Sequence, residues 1–261
     1  MIESEFSKSA PMQKFPVEIV VAATGIEAVT KSARAAVDGG ASRIELCAHM
    51  EHGGLTPLPA HIRAARRACA DVPGLMVMIR ERVSAGCREF CYDTDMLALM
   101  CRQIAQAANC GADGVVVGAL RARDGGLHAT AMSRLVSIAK RLNLQVTFHR
   151  AFDAVSDRDG ALNTLVDMGV DRILTSGTPW SSSQTIMDGV QVLSHTILHA
   201  ANRLEVICCG GVTARMAPSL ISMLPLNARL SLHAYGSVLT HGVTSARKVN
   251  DLCQHALNNS R

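Results

Sequence analysis

Aromatic side chains are scarce in this chain: one Trp, two Tyr and five Phe make up 3% of 261 residues. The densest basic cluster, Arg-Ala-Ala-Arg-Arg at 63–67, therefore has no stacking platform beside it. It falls at helical spacing and reads as a solvated helix face, which argues against nucleic acid as a partner. Neither sign of charge is in large excess, since 26 basic against 22 acidic residues leave +4. The first 16 residues hold no long apolar run and mix Glu3, Glu5, Lys8, Pro11, Lys14 and Pro16. That excludes a secretory signal or membrane span there, so the expectation is a mobile tail over 1–15 ahead of one folded domain over 16–261. Regular cysteine spacing is missing too. Nine cysteines, an odd number without a framework, point to reduced thiols in the cytoplasm rather than to disulfides. No G-x-G-x-x-G follows the first apolar run and no G-x-x-x-x-G-K-[ST] occurs anywhere, which argues against a dinucleotide-binding open sheet and a P-loop.

What the chain does have is regularity. With 48% hydrophobic and 18% charged residues it is globular and long enough to bury a full core. Eight short β-branched or aliphatic runs recur: VEIVVA (17–22), RIELC (43–47), LMVMIR (75–80), DGVVVG (113–118), LQVTFH (144–149), DRILTS (171–176), LEVICC (204–209) and RLSLH (229–233). Between them lie Ala- and Leu-rich stretches with apolar residues at i, i+3 and i+4, such as 96–108, 131–142 and 161–168. Several end at a glycine that feeds the next run, in the cadence DGGASRIEL, NCGADGVVV, DMGVDRIL. Eight strand–helix units in a chain of about this length predict a closed (β/α)8 TIM-type barrel of a single domain.

Functional groups of such barrels collect where strands end, at the C-terminal face. The strand ends here carry Glu45, Cys47, Arg80, His149, Arg150, Asp153, Thr175, Ser176, Cys208, Cys209 and His233. Strand side chains alternate faces, so Ile44 and Leu46 meet helices while Glu45 and Cys47 face inward. By the same rule Met76 and Met78 share a face with Arg80, and Ser231 with His233. Glu45, Arg80 and Arg150 would either pair as a structural ionic network or serve a ligand. The ligand site is favoured, because an all-structural charged layer gains little stability over an apolar one. Glycines near Ser176 and Gly177, and at Gly210 and Gly211, could free backbone N–H groups for a phosphate or carboxylate; the alternative is a tight strand-to-helix turn.

In order, RIELC (43–47), GGLTP (53–57), VMIR (77–80), EFCY (89–92), ADGVVVGAL (112–120), VTFHRAFD (146–153) and DRILTSG (171–177) resemble the CutC copper homeostasis family, from about Pro16 to His233. The resemblance implies a cytoplasmic, oligomeric barrel associated with copper handling, with Cu(I) held by cysteines, and it names no reaction. The family's first strand commonly reads Glu-Val-Cys, its cysteine being one proposed ligand; here it reads Glu18-Ile19-Val20. The second proposed ligand corresponds to Cys47 and is present. The usual RPRGGDFCY is replaced by RERVSAGCREFCY (80–92), and after His233 the Ser-Ala-Arg ending is absent. Cu(I) is soft and takes two or three sulfur donors, so one thiol makes a weak site. Met76, Met78, Cys208 and Cys209 are substitutes on paper, while Cys87 and Cys91 read as packing or surface thiols.

Three functions follow as expectations. One is a CutC-like homeostasis protein that binds Cu(I) weakly at Cys47. Another is a barrel enzyme acting on a small anionic metabolite, with Glu45, Arg80, His149, Arg150, Asp153 and His233 as candidate catalytic residues, His149 or Glu45 as general base and Arg80 as an anion clamp. The third is an oligomeric scaffold with a decayed pocket.

Overall fold

A computed structural model describes residues 13–69, 74–82, 88–225 and 228–258. Eight parallel strands close into a barrel in sequence order: β1 (Val17–Ala22), β2 (Arg43–Cys47), β3 (Leu75–Met78), β4 (Gly114–Val117), β5 (Gln145–Phe148), β6 (Arg172–Thr175), β7 (Glu205–Cys208) and β8 (Leu230–Ala234). The single-domain TIM-type barrel expected from the repeat is the observed fold. Helices α1 (Ile26–Asp38), α2 (Pro59–Ala68), α3 (Thr94–Asn109), α4 (Ala129–Arg141), α5 (Arg158–Asp167), α6 (Val190–Ala200), α7 (Ala217–Ser222) and α8 (Ala246–His255) alternate with them.

The strands read as near-continuous apolar runs because both faces are covered. α3 shows how a helix docks. Asp93 caps it by accepting from the Met96 amide at 2.8 Å, and Met100, Ile104 and Ala107 form the buried stripe at i, i+4, i+7. The glycine cadence works as read at Gly169, where φ is 77° just past α5, a conformation that suits a residue without Cβ.

Parity holds strand by strand. Ile44, Leu46, Leu75, Val77, Leu230 and Leu232 join the large core between sheet and helices. Val20, Cys47, Met76, Met78 and Val116 form a separate cluster inside the barrel. Val20, Glu45 and Met76 are in register across β1, β2 and β3.

A buried ionic layer closes the N-terminal end of the barrel. Arg43 bonds Glu18 at 2.8 Å, Glu205 at 2.6 Å and Ser231 at 2.7 Å, while Arg172 bonds Glu205 at 3.3 Å and also Gln145. Arg43, Arg172, Glu205 and Gln145 each start a strand, which puts them at the stability end of the barrel rather than at its mouth. An ionic network is thus present, built from residues other than Glu45, Arg80 and Arg150.

Of the expected tail, residues 1–12 lie outside the described residues. Gln13–Lys14 pair antiparallel with Leu257–Asn258, and Phe15 is buried with its amide bonded to the Ala256 carbonyl at 2.9 Å. Among the described residues, no helix is long and apolar enough to cross a membrane.

Candidate functional site at the barrel mouth

At the C-terminal ends of the strands lies a cavity of about 190 Å³. Glu45, Cys47, Arg80, His149, Arg150 and His233 all line it, together with Val20, Met50 and Met78. The loops after β2, β3 and β6 shape its walls. In GGLTP, the chain after β2 folds back so that Ala48 bridges Leu55. Gly54, with φ 89°, sits against Cys47, where a Cβ would lie 3.3 Å from Sγ and 3.7 Å from Met78 Cε. In ADGVVVGAL, Gly118 leaves room for the His149 ring, since a Cβ there would lie 2.4 Å from its Cε1.

Arg80 is buried and already committed. Nη1 donates to the carbonyls of His52 (2.7 Å) and Gly54 (2.9 Å), and Nη2 donates to Glu89 at 2.7 Å. Its guanidinium lies 5.0 Å from the Phe90 ring centroid. Both fork nitrogens are thus spent on tying the β2 and β3 loops together, and only Nε lacks a partner. The end-on fork through Nη1 and Nη2 is therefore already taken. Arg150 donates through Nε to Asp153 (2.8 Å) and through Nη2 to Ser176 (2.8 Å), and packs 5.2 Å from the Trp180 ring centroid.

The two histidines are shifted in opposite directions. The Ala151 amide donates to His149 Nδ1 at 3.1 Å, so the ring proton sits on Nε2, which has no partner. Burial, reinforced by the nearby Arg80 charge, pushes the His149 pKa down to about 3. His149 is therefore a neutral donor in the wall of the cavity, with no free lone pair for the general-base role that the sequence left open. His233 Nε2 donates to Glu45 Oε2 at 2.6 Å. Burial alone would lower its pKa, but the bond to Glu45 and the Glu45 and Glu18 charges raise it. Glu45 Oε1 is buried and unpartnered. Glu18, Glu45 and His233 each place a potential ligand atom within 4.8 Å of the others.

His149 gives a first prediction. A histidine whose folded pKa lies near 3 stays neutral while its unfolded counterpart, near 6.5, takes up a proton. It therefore contributes stability above about pH 6.5 that is lost as pH falls toward 3. Ring NMR should show the His149 imidazole locked as the Nε2–H tautomer from pH 8 to pH 5; uptake of a proton by that ring near pH 6.5 would contradict the assignment.

Asp153 does not line this cavity. Its carboxylate accepts from Thr175 Oγ1 (2.5 Å), Ser176 Oγ (2.9 Å) and the Ser176 amide, besides Arg150. The amides proposed for an anion near Ser176 and Gly177 have internal partners: Ser176 N–H on Asp153, Gly177 N–H on Thr175 Oγ1, and Thr178 N–H on Ser176 Oγ. Gly210 and Gly211 are not among the residues lining the mouth cavity.

The thiols divide by face. Burial first, then Glu45 and Glu18, raise the Cys47 pKa well above its usual value. Cys208 packs with the sheet–helix core and is pushed up to about 12 by burial, so it does not face the mouth. Cys209 packs inside with Leu174 and Ile207. Cys87 lies outside the described residues, and none of the eight described cysteines is in a disulfide.

Sequence reasoning passed over Trp180, Phe90, Tyr235 and Met50, all on the cavity wall. Trp180 is the single tryptophan and follows LTSG closely; a lone large aromatic in a loop at the C-terminal end of the barrel was the available signal. Glu18, a charge inside VEIVVA, was another.

Fold and site together define a single-domain (β/α)8 barrel with a chemically equipped cavity at its C-terminal mouth. The CutC family model matches residues 20–231. A CutC family protein of Sinorhizobium medicae is 40% identical over 192 residues, 74% of this chain and 73% of the relative. One from Aliivibrio fischeri is 37% identical over 186 residues, 71% of each. The crystal structure of CutC from Streptococcus agalactiae, described as a copper homeostasis protein, is similar with a TM-score of 0.70 and 25% identity, covering 84% of this chain and 98% of that one. This chain belongs to the CutC family.

Proposed function

We propose that this protein handles copper, holding Cu(I) weakly at Cys47 in the barrel mouth. The carrying observation is the sulfur wall: Cys47, Met78 and Met50 line one cavity, and Cys47 Sγ and Met78 Cε both approach the same point over Gly54. A thiolate with one or two thioethers suits soft Cu(I). Binding must displace the Cys47 proton, which burial and two carboxylates hold tightly, so affinity rises with pH. The described thiols form no disulfide, which suits a reducing compartment, and we place the protein in the cytoplasm as a homo-oligomer. Competition with a Cu(I) chelator under anaerobic reducing conditions tests the site. Cys47→Ala should lose at least tenfold in affinity, about 1.4 kcal/mol, and an unchanged affinity would move the copper elsewhere.

A second function is favoured by a separate observation. Three buried polar atoms on the wall lack partners: the Nε2 donor of His149, the Nε donor of Arg80 and the Oε1 acceptor of Glu45. Buried polar atoms without partners cost stability, and a small anion contacting the two donors would relieve that cost. On this reading the cavity binds a small anionic metabolite. Gradual decay of an abandoned pocket would not leave unpartnered donors and an acceptor in the wall of one cavity.

A further inference from the structure

We propose that the barrel mouth catalyses proton transfer at the carbon next to the carbonyl of a small 2-oxo carboxylate, with Glu45 taking the proton and His149 holding the carbonyl oxygen. This rests on the second function above, that the cavity binds a small anion.

The three unpartnered atoms differ in kind, and their kinds match this chemistry. His149 presents an N–H that cannot become a lone pair while the Ala151 amide occupies Nδ1. It can neither ligate a metal through Nε2 nor act as a base, but it can hydrogen-bond an oxygen on which charge develops. Glu45 presents one free oxygen, the other being fixed by His233 at 2.6 Å. A carboxyl group oriented through one oxygen and unpartnered at the other is the arrangement a positioned base requires. Arg80 Nε adds a buried donor for the substrate carboxylate. A cavity of about 190 Å³ suits a ligand of a few carbons rather than a nucleotide or a sugar phosphate chain.

The step balances without a co-reactant. The C–H bond next to the carbonyl breaks and its proton goes to the Glu45 carboxylate. Its electron pair forms the carbon–carbon double bond of an enolate, and the carbonyl π pair moves to the oxygen held by His149 Nε2–H. Return of the proton to the same carbon gives exchange or inversion there. Phe90 and Trp180 meet edge to face at 4.9 Å and form the aromatic wall of the cavity beside Arg80.

Trp180, the single tryptophan, makes binding and chemistry separately readable. Pyruvate, 2-oxobutyrate and 2-oxoglutarate are titrated against the intact protein by tryptophan fluorescence, and loss of their C3 proton signals in D2O is followed by NMR. At least one should quench Trp180 and exchange at C3 well above the buffer rate. Glu45→Gln, which keeps the shape and a bond to His233, should slow exchange at least 100-fold while binding is retained within a few-fold. His149→Phe should slow it by at least tenfold. Binding of a probe without exchange overturns the proton transfer and leaves the anion site standing. If no probe binds or exchanges, both fall. Exchange undiminished in Glu45→Gln overturns the assignment of the base.

Discussion

Replacing Asp153 with alanine is expected to cost about 3 kcal/mol of folding stability, because the Thr175 and Ser176 hydroxyls and the Ser176 amide lose a buried charged acceptor at roughly 1–3 kcal/mol for each donor left unsatisfied. For a chain of this length that lowers Tm by roughly 10 °C. The Asp153 side chain is fully buried and gathers Arg150, the Thr175 and Ser176 hydroxyls and the Ser176 amide. Without it the Arg150 guanidinium loses its counter-charge, and the turn after β6, which carries the chain toward Trp180, loses its anchor. As a charged strand-end residue in VTFHRAFD, Asp153 read as a candidate for catalysis. Its contacts assign it to holding Arg150 and the β6 loop in place. Denaturant unfolding with Asp153→Asn alongside would check this. A loss below 0.5 kcal/mol in Asp153→Ala would return Asp153 to the ligand-binding candidates.

Val20→Cys should tighten Cu(I) binding at least tenfold, about 1.4 kcal/mol. Val20 lies inside the barrel in the cluster with Cys47 and Met78, and lines the same cavity. Neighbouring strands lie about 4.8 Å apart, so a thiol at position 20 would put a second strong sulfur donor within reach of a metal on Cys47. Val20 and Cys47 are not direct register partners, since Val20 pairs with Glu45 and Ala22 with Cys47, so the two sulfurs would meet diagonally. Equal affinity in the parent and in Val20→Cys would mean that the copper does not sit between β1 and β2.

Much of the barrel was legible because parallel strands are covered on both faces and so read as unbroken apolar runs. The alternation in RIELC was enough to aim Glu45 and Cys47 inward, and LMVMIR did the same for Met78. What stayed hidden depends on how groups pair once strands are closed into a ring. Arg43, Glu205 and Arg172 stand at the starts of strands far apart in sequence, and only closure brings them into one layer. The tautomer of His149 is set by the backbone turn at Arg150–Ala154, which directs the Ala151 amide onto Nδ1. The fork of Arg80 looked free because two of its acceptors are the main-chain carbonyls of His52 and Gly54, which no side-chain pattern reveals, and the third is Glu89, in a loop whose path periodicity does not fix. Trp180 sits in an irregular stretch between β6 and α6, where periodicity carries no signal.

That the mouth of the barrel around Cys47 is where this protein meets copper can be tested most directly by anomalous diffraction. Crystals grown anaerobically with Cu(I) would be measured on both sides of the copper absorption edge. The predicted result is a single strong peak within bonding distance of Cys47 Sγ, facing Met78. A peak at Cys69, Cys110 or another thiol away from the mouth, or no peak at saturating Cu(I), would contradict it.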